Sequence, residues 1–361
     1  MSTPLDFSYE TRPARVVFRP GASVTATPGE VARLGLHRVL VVCGSRGEAT
    51  ARAVADALGG DCVGVHAEAR MHVPVEVADR AVEVARELGA DGCVAVGGGS
   101  SIGLGKAIAL RTGLPLVAVP STYAGSEMTS VWGLTEHGVK RTGRALAVLP
   151  RSVVYDPELT LGLPVPLSVT SGINAVAHAA EALYAPDASP LVSLMAEEGV
   201  RAMAGALPRV AAAPGDLDAR SRALYGAWLC GACLGATTMG LHHKLCHVLG
   251  GTFDLPHAAT HTVVLPYVLA YNAPATPGAL TALSRALGAD DVPRALRELA
   301  GTLGAPQSLA ELGLKEADLT VAAAQTAAQT YPNPREVTAN GVLGLLTAAY
   351  EGWDPRSETS R

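Results

Sequence analysis

Histidines crowd one stretch of this 361-residue chain. Asn174 and His178 stand in NAVAH, His242, His243 and His247 in HHKLCH, and His257 and His261 in LPHAATH, so six of the ten histidines lie between positions 174 and 261. Neutral imidazole is a metal ligand, and protonated or neutral imidazole moves protons near pH 7, so the cluster admits two chemistries. The spacing Asn174, His178, His243, His247 and His257 offers a metal nitrogen and oxygen ligands. Asn174 weighs against this, because it brings a neutral carbonyl where an aspartate would bring the negative charge that holds a divalent cation. The other chemistry is a pocket in which the same groups donate to, and protonate, a bound substrate or cofactor partner.

These side chains need helices to present them. Residues four apart share a helical face, so Asn174 pairs with His178 and His243 with His247, each in an apolar, alanine-rich run. Gly250, Gly251 and Pro256 are expected to end the second helix and turn His257 back toward its companions. From about Asp156 onward the chain reads as helices at 168–184, 190–212, 218–236, 240–249, 261–272, 278–287, 292–303, 316–329 and 338–351. The first half has another texture. Strands are expected at 15–19, 38–43, 62–66, 92–96 and 116–119, with helices at 50–58, 75–88 and 102–110 between them, the alternation of a mostly parallel, doubly wound sheet. The expected division is 1–160, an α/β dinucleotide-binding domain, and 161–361, a helical substrate and catalytic domain, the break falling in the proline-interrupted PELTLGLPVP.

The α/β half carries a phosphate-binding signal. Gly97, Gly98, Gly99, Ser100 and Ser101 follow the strand GCVAV and precede a helix, so backbone N–H groups can approach a pyrophosphate without side-chain obstruction. The triplet is not a GxGxxG fingerprint, and Lys106 is followed by Ala107, so it is not a Walker loop. PSTYAGSE follows the next strand, with Ser121, Thr122 and Ser126 able to complete the cradle. After RVLVVC stand Gly44, Ser45 and Arg46 where an acidic residue would grip ribose hydroxyls; Arg46 suits a 2′-phosphate, which leaves NADPH open beside NADH.

Composition excludes other roles. A net charge of −5 and a pI near 6.1, without a Lys/Arg cluster, argue against nucleic acid. No signal-peptide or membrane-length apolar run is present, and six cysteines, several in apolar runs, fit a reducing cytoplasmic setting. Cys230 and Cys233 form one CxxC inside an apolar helical run and read as buried thiols.

GGGSSIGLGKAIALRTGLPLVAVPSTYAGSEM, SGINAVAHAAEALYAP and GLHHKLCHVLGGTFDLPHAATHTVVLP resemble the iron-containing alcohol dehydrogenase superfamily, and within it the maleylacetate reductase subgroup, over essentially the whole chain. The resemblance implies a dinucleotide-binding α/β domain, a helical domain, a cleft between them and a homodimer. It places Lys140 near the cofactor. Metal-dependent members use an aspartate and three histidines, which map onto Asn174, His178, His243 and His257; the asparagine is a feature of the subgroup, which works without bound metal. Ala259, Tyr267 and the sequence GGGSSIG depart from the subgroup pattern and flank the pocket.

The function this implies is reduction of maleylacetate to 3-oxoadipate, a step of aromatic-compound catabolism, or of a similar unsaturated or keto acid. Hydride addition to the alkene carbon β to the ketone leaves an enolate that must be stabilised and protonated. His243 and His257 are expected to do this, with His247 beside them and His178 and Asn174 orienting the substrate. Tyr123, His242, Lys244 and Arg335 are the candidates for substrate binding. The alternatives are a metal-dependent alcohol dehydrogenase of the same superfamily and a relative recruited to another biosynthetic substrate.

Overall fold

The structure, a computed structural model, describes Phe7, Tyr9 and residues 14–136 and 139–355. The chain divides into two compact units, one of residues 12–163 and 215–224, the other containing 164–214 and 225–361.

The first unit is built on six parallel strands: β1 (Arg15–Phe18), β2 (Val39–Val42), β3 (Cys62–His66), β4 (Gly92–Gly97), β5 (Leu116–Pro120) and β8 (Ser152–Tyr155), in the order β1-β8-β5-β4-β2-β3. β2, β4 and β5 are wholly buried and rich in valine, as strands covered on both faces must be. Five helices connect and cover them: α1 (Ala22–Thr25), α2 (Thr27–Arg33), α3 (Glu48–Leu58), α4 (Val75–Glu87) and α5 (Gly99–Thr112). Val39, Val41, Val94, Val96, Val117, Val119 and Val154 share one core with Val31, Val54 and Leu58 from the helices. The strand order reverses between β2, which is followed by β3 on one side, and β4, which starts the run to the other side. That reversal opens a crevice at the carboxyl ends of β2 and β4.

Two elements lie outside the expected series. β8 continues the sheet beyond β5, pairing with both β5 and β1. β6 (Val131–Glu136) and β7 (Val139–Arg144) form an antiparallel ribbon. Helix α5 also begins earlier than expected, since β4 runs through Gly97 and only Gly98 separates it from the helix.

The second unit contains α6 (Val165–Ala182), α7 (Pro190–Ala212), most of α8 (Leu217–Ala236), α9 (Leu241–Phe253), α10 (His257–Asn272), α11 (Pro277–Leu287), α12 (Val292–Thr302), α13 (Leu319–Ala327) and α14 (Ala339–Glu351). The sequence has only three Phe, and the core is accordingly aliphatic and close packed. Leu241, Leu245 and Leu249 of α9 join Val264 and Val268 of α10, Ala322 of α13 and Leu345 and Leu346 of α14. Helix α9 runs through Gly250 and Gly251, contrary to the expected stop. It ends at Asp254, a left-handed residue with φ 55° whose N–H returns to Leu249 O. No single described helix is long and apolar enough to cross a membrane.

Candidate functional site

Each histidine is placed by one of three helices. α6 carries Asn174 and His178 on one face, and one turn later Glu181. α9 starts at Leu241 after Gly240, which offers no side-chain cap. The cap comes from Glu181 instead. Its side chain is fully buried; Oε1 accepts the His242 N–H at 2.9 Å, and Oε2 accepts those of Gly240 at 3.2 Å and His243 at 3.3 Å. A carboxylate thereby satisfies three of the orphan donors at the positive end of a helix. The approach requires glycine at 240, where a Cβ would lie 2.9 Å from Pro332 O and 3.2 Å from Glu181 Oε1.

Glu181 also orients the chemistry. Its Oε2 lies 2.6 Å from His243 Nδ1. A carboxylate can only accept, so Nδ1 carries the proton and His243 Nε2 is turned away from Glu181. Around this ring the others gather, with centroids 5.2 Å away for His178, 5.4 Å for His242, 5.0 Å for His261 and 6.3 Å for His247. His257 lies 4.3 Å from His261 and stacks on His247 at 6.5 Å. His257 is the first residue of α10, so the loop swings it to the cluster by starting a helix there. His242 Nε2 and His261 Nδ1 are 3.0 Å apart and share a hydrogen bond across α9 and α10.

The cluster is polar and buried. Asn174 Oδ1, His178 Nδ1, His242 Nδ1, His243 Nε2 and His261 Nε2 are buried without a hydrogen-bond partner, five of nine such side-chain atoms among the described residues. Each unpaired buried polar atom costs about 1–3 kcal/mol, a cost that hydrogen bonds from water or a ligand would relieve. Burial holds the His178, His242 and His261 rings well below the usual histidine range, with neighbouring histidines adding to the effect. These three are neutral donors or acceptors at pH 7 rather than acids.

The rings of His243, His257, His178 and His247 lie in one group, with Asn174 one turn before His178. Glu181 and His261 were missed as members; His261 stands four residues after His257, a spacing that signals the shared face. The expected substrate contacts have the following surroundings, each within its own unit. Arg335 donates to Tyr271 O at 2.8 Å and lies over the Tyr271 ring at 4.2 Å. Tyr123 is fully buried, its hydroxyl 3.4 Å from Arg220 Nη1. His242 is in the cluster but fully buried behind His261. Lys244 is half-buried beside His243.

In the α/β unit the cradle candidates converge at the strand reversal. The Gly44 N–H donates to Ser101 Oγ at 3.2 Å, joining the ends of β2 and the start of α5. Ser121 N donates to Gly97 O at 3.1 Å, joining β5 to β4. Gly97 has φ 132°, and a Cβ there would sit 2.5 Å from Ser101 Oγ. At Gly98 a Cβ would meet Thr122 at 3.0 Å. Gly99 and Ser100 form the first turn of α5, which opens without a side-chain cap directly after the carboxyl end of β4. Ser45 and Arg46 are exposed in the turn after β2, and Ser126 begins the short turn Ser126–Met128. Lys140 falls in β7, and its side chain lies outside what the structure describes.

Residues 13–157 match the sequence profile described as iron-containing alcohol dehydrogenase, and residues 168–350 that of the Fe-containing alcohol dehydrogenase family, C-terminal. The chain is similar to the maleylacetate reductase of Pseudomonas knackmussii, 53% identical over 351 residues covering 97% of this chain and 99% of the relative. It is likewise 53% identical over 349 residues to that of Burkholderia cepacia, with 97% and 99% covered. The crystal structure of maleylacetate reductase from Agrobacterium tumefaciens matches with a TM-score of 0.94 at 51% identity, covering 98% of this chain and 100% of that one.

The glycine geometry predicts that Gly98→Val, which drives its side chain into Thr122, raises the dissociation constant for NADH by about tenfold, roughly 1.4 kcal/mol, in a folded protein. Fluorescence titration checks this; unchanged affinity would remove the triplet from the cofactor site. The buried rings make a second prediction. Their native pKa values lie below the unfolded value near 6.5, so below that pH the unfolded chain binds more protons, and stability falls as pH falls, by about 1.4 kcal/mol per pH unit for each ring. Urea unfolding between pH 7.5 and 5 should show this slope, reduced by about one proton in His261→Gln. A flat profile would mean that these rings are charged in the native protein.

Proposed function

We propose that this chain, which belongs to the iron-containing alcohol dehydrogenase family, reduces the carbon–carbon double bond of maleylacetate with NADH or NADPH and does so without a resident metal. The observation that carries the reading is the group of buried, unpartnered polar atoms on Asn174, His178, His242, His243 and His261. Its support is the similarity to maleylacetate reductases over nearly the full chain.

The residues do not fit a tightly held divalent cation. The four positions that bind metal in metal-dependent relatives are here Asn174, His178, His243 and His257, all without negative charge. The nearby carboxylate, Glu181, has both oxygens occupied by three backbone N–H groups and by His243 Nδ1. A divalent ion among neutral ligands forgoes the electrostatic attraction that usually holds it.

NAD(P)H held by the Gly97–Gly99 turn would supply a hydride to the alkene carbon β to the ketone. Negative charge then develops on the ketone oxygen, and a proton from the protein converts the enolate to 3-oxoadipate. With His178, His242 and His261 held neutral by burial, we assign the proton to His243 or His257. The Glu181 carboxylate compensates the charge that the His243 ring carries when both nitrogens hold protons, and His243 Nε2 then donates to the oxyanion. Asn174 and His178 orient the substrate, and Lys244 is the cation available on α9 for a substrate carboxylate. An uncharged metal-ligand set also avoids placing an anion beside a dianionic substrate.

The test is oxidation of NADH and of NADPH with maleylacetate, before and after dialysis against a chelator. Turnover undiminished by the chelator is the expected result. Asn174→Asp should increase zinc or iron affinity and lower kcat, because it adds charge where the enolate forms. Stoichiometric metal in the wild type with chelator-sensitive turnover would favour a metal-dependent alcohol dehydrogenase.

A further inference from the structure

Lys106 stands on α5 two turns after Gly99, where a lysine following a glycine-rich turn invites reading as a phosphate ligand. The side chain points elsewhere. It is 1% exposed, and its Nζ donates to Ser126 O at 2.6 Å, Thr129 Oγ1 at 2.9 Å and Val131 O at 2.7 Å. An ammonium has three N–H groups, and all three are used, so none is left for a phosphate oxygen.

The three acceptors belong to one stretch of chain, the end of PSTYAGSEMTSV. Its beginning is joined to the glycine triplet, through Ser121 N to Gly97 O at 3.1 Å and through the packing of Thr122 over Gly98. Gly125 turns the chain in the left-handed region with φ 75°, and the Glu127 carboxylate behind it accepts from Tyr155 Oη at 2.9 Å on β8. Thr129 Oγ1 in turn donates to Ser126 O at 3.1 Å and accepts from Val131 N at 3.2 Å. Burial draws the pKa of the Lys106 ammonium down to about 7, and three fixed acceptors surround its Nζ. Here the ammonium fastens α5, which opens directly after the carboxyl end of β4, to the loop that follows the neighbouring strand β5.

Building on the nucleotide-binding role proposed above, we infer that Lys106 is a positioning residue for the dinucleotide: it touches no part of the cofactor and sets affinity by holding residues 121–131 over the Gly97–Gly99 turn. Two side chains of the loop, Ser121 and Thr122, and the backbone of Ser126 are thereby kept in register with α5. Loss of the clamp removes the lysine donor from Val131 O, while Ser126 O keeps the Thr129 N–H and hydroxyl and Thr129 Oγ1 keeps the Val131 N–H, so the loop holds its own turn and loses its tie to α5.

The experiment compares wild type with Lys106→Met, which keeps the length of the side chain and removes its donors. NADH affinity is read by fluorescence titration, KM and kcat by maleylacetate reduction, and loop order by hydrogen exchange. The dissociation constant and KM for NADH should rise about tenfold more than kcat falls, and exchange should quicken over 121–131 while β4 stays protected. Unchanged affinity in the folded variant overturns the inference. So does a loss of affinity with unchanged exchange over 121–131, the signature of a direct phosphate ligand. Should Lys106→Met fail to fold, Thr129→Val removes one acceptor and keeps the lysine; about a threefold rise in the NADH dissociation constant is expected, and no rise overturns the proposal. A wild type that binds neither NADH nor NADPH would overturn the proposed function and this inference together, whereas a wild type that binds with variants unaffected would overturn the inference alone.

Discussion

Four N–H groups meet the Glu181 carboxylate, and the geometry of the histidine cluster depends on that meeting. Three come from the opening turn of α9 and one from the His243 ring. The same two oxygens therefore fix where α9 begins, how it is joined to α6, and which nitrogen of His243 is turned toward the remaining histidines. The second tie is His242 to His261, which joins α9 to α10 and carries His257 with it. A charged group buried this deeply is stable only when its partners are preorganised, and a helix N-terminus supplies partners that cannot rotate away.

The electrostatics follow from the same arrangement. The Glu181 carboxylate is spent on the helix end and on His243, and burial lowers the pKa of His178, His242 and His261 around it. In the α/β unit the corresponding constraint is steric. Gly97 and Gly98 are glycine because Ser101 and Thr122 already occupy the space that a side chain would need, and the result is a backbone-lined crevice at the strand reversal.

Much of this was legible in the residues. Period-four spacing placed Asn174 with His178 and His243 with His247, and valine-rich runs marked β2, β4 and β5. The remainder depends on contacts that spacing does not carry. β8 is only four residues long, with just the single 3₁₀ turn Leu146–Val148 between it and β7, so the alternation that revealed the other strands gave no signal. The Gly250–Gly251 pair stays helical because tertiary packing of Leu245, Leu249 and Leu255 outweighs the intrinsic penalty of glycine. Glu181 lies seven residues after Asn174 and reads as an ordinary helical acid until α9 is seen to start against it. Arg335 and Tyr123 were plausible by chemical type alone, and their partners, Tyr271 and Arg220, are remote in sequence.

Nitrogen-15 NMR of the histidine rings tests the central claim most directly, in protein labelled at histidine and with His243 assigned through His243→Gln. At neutral pH the account predicts that His243 Nδ1 is protonated and hydrogen-bonded, and that this signature is lost in a folded Glu181→Gln variant together with most of the reductase activity. An unprotonated Nδ1 in the wild type, or a His243 signal and turnover that ignore the loss of the carboxylate, would contradict it.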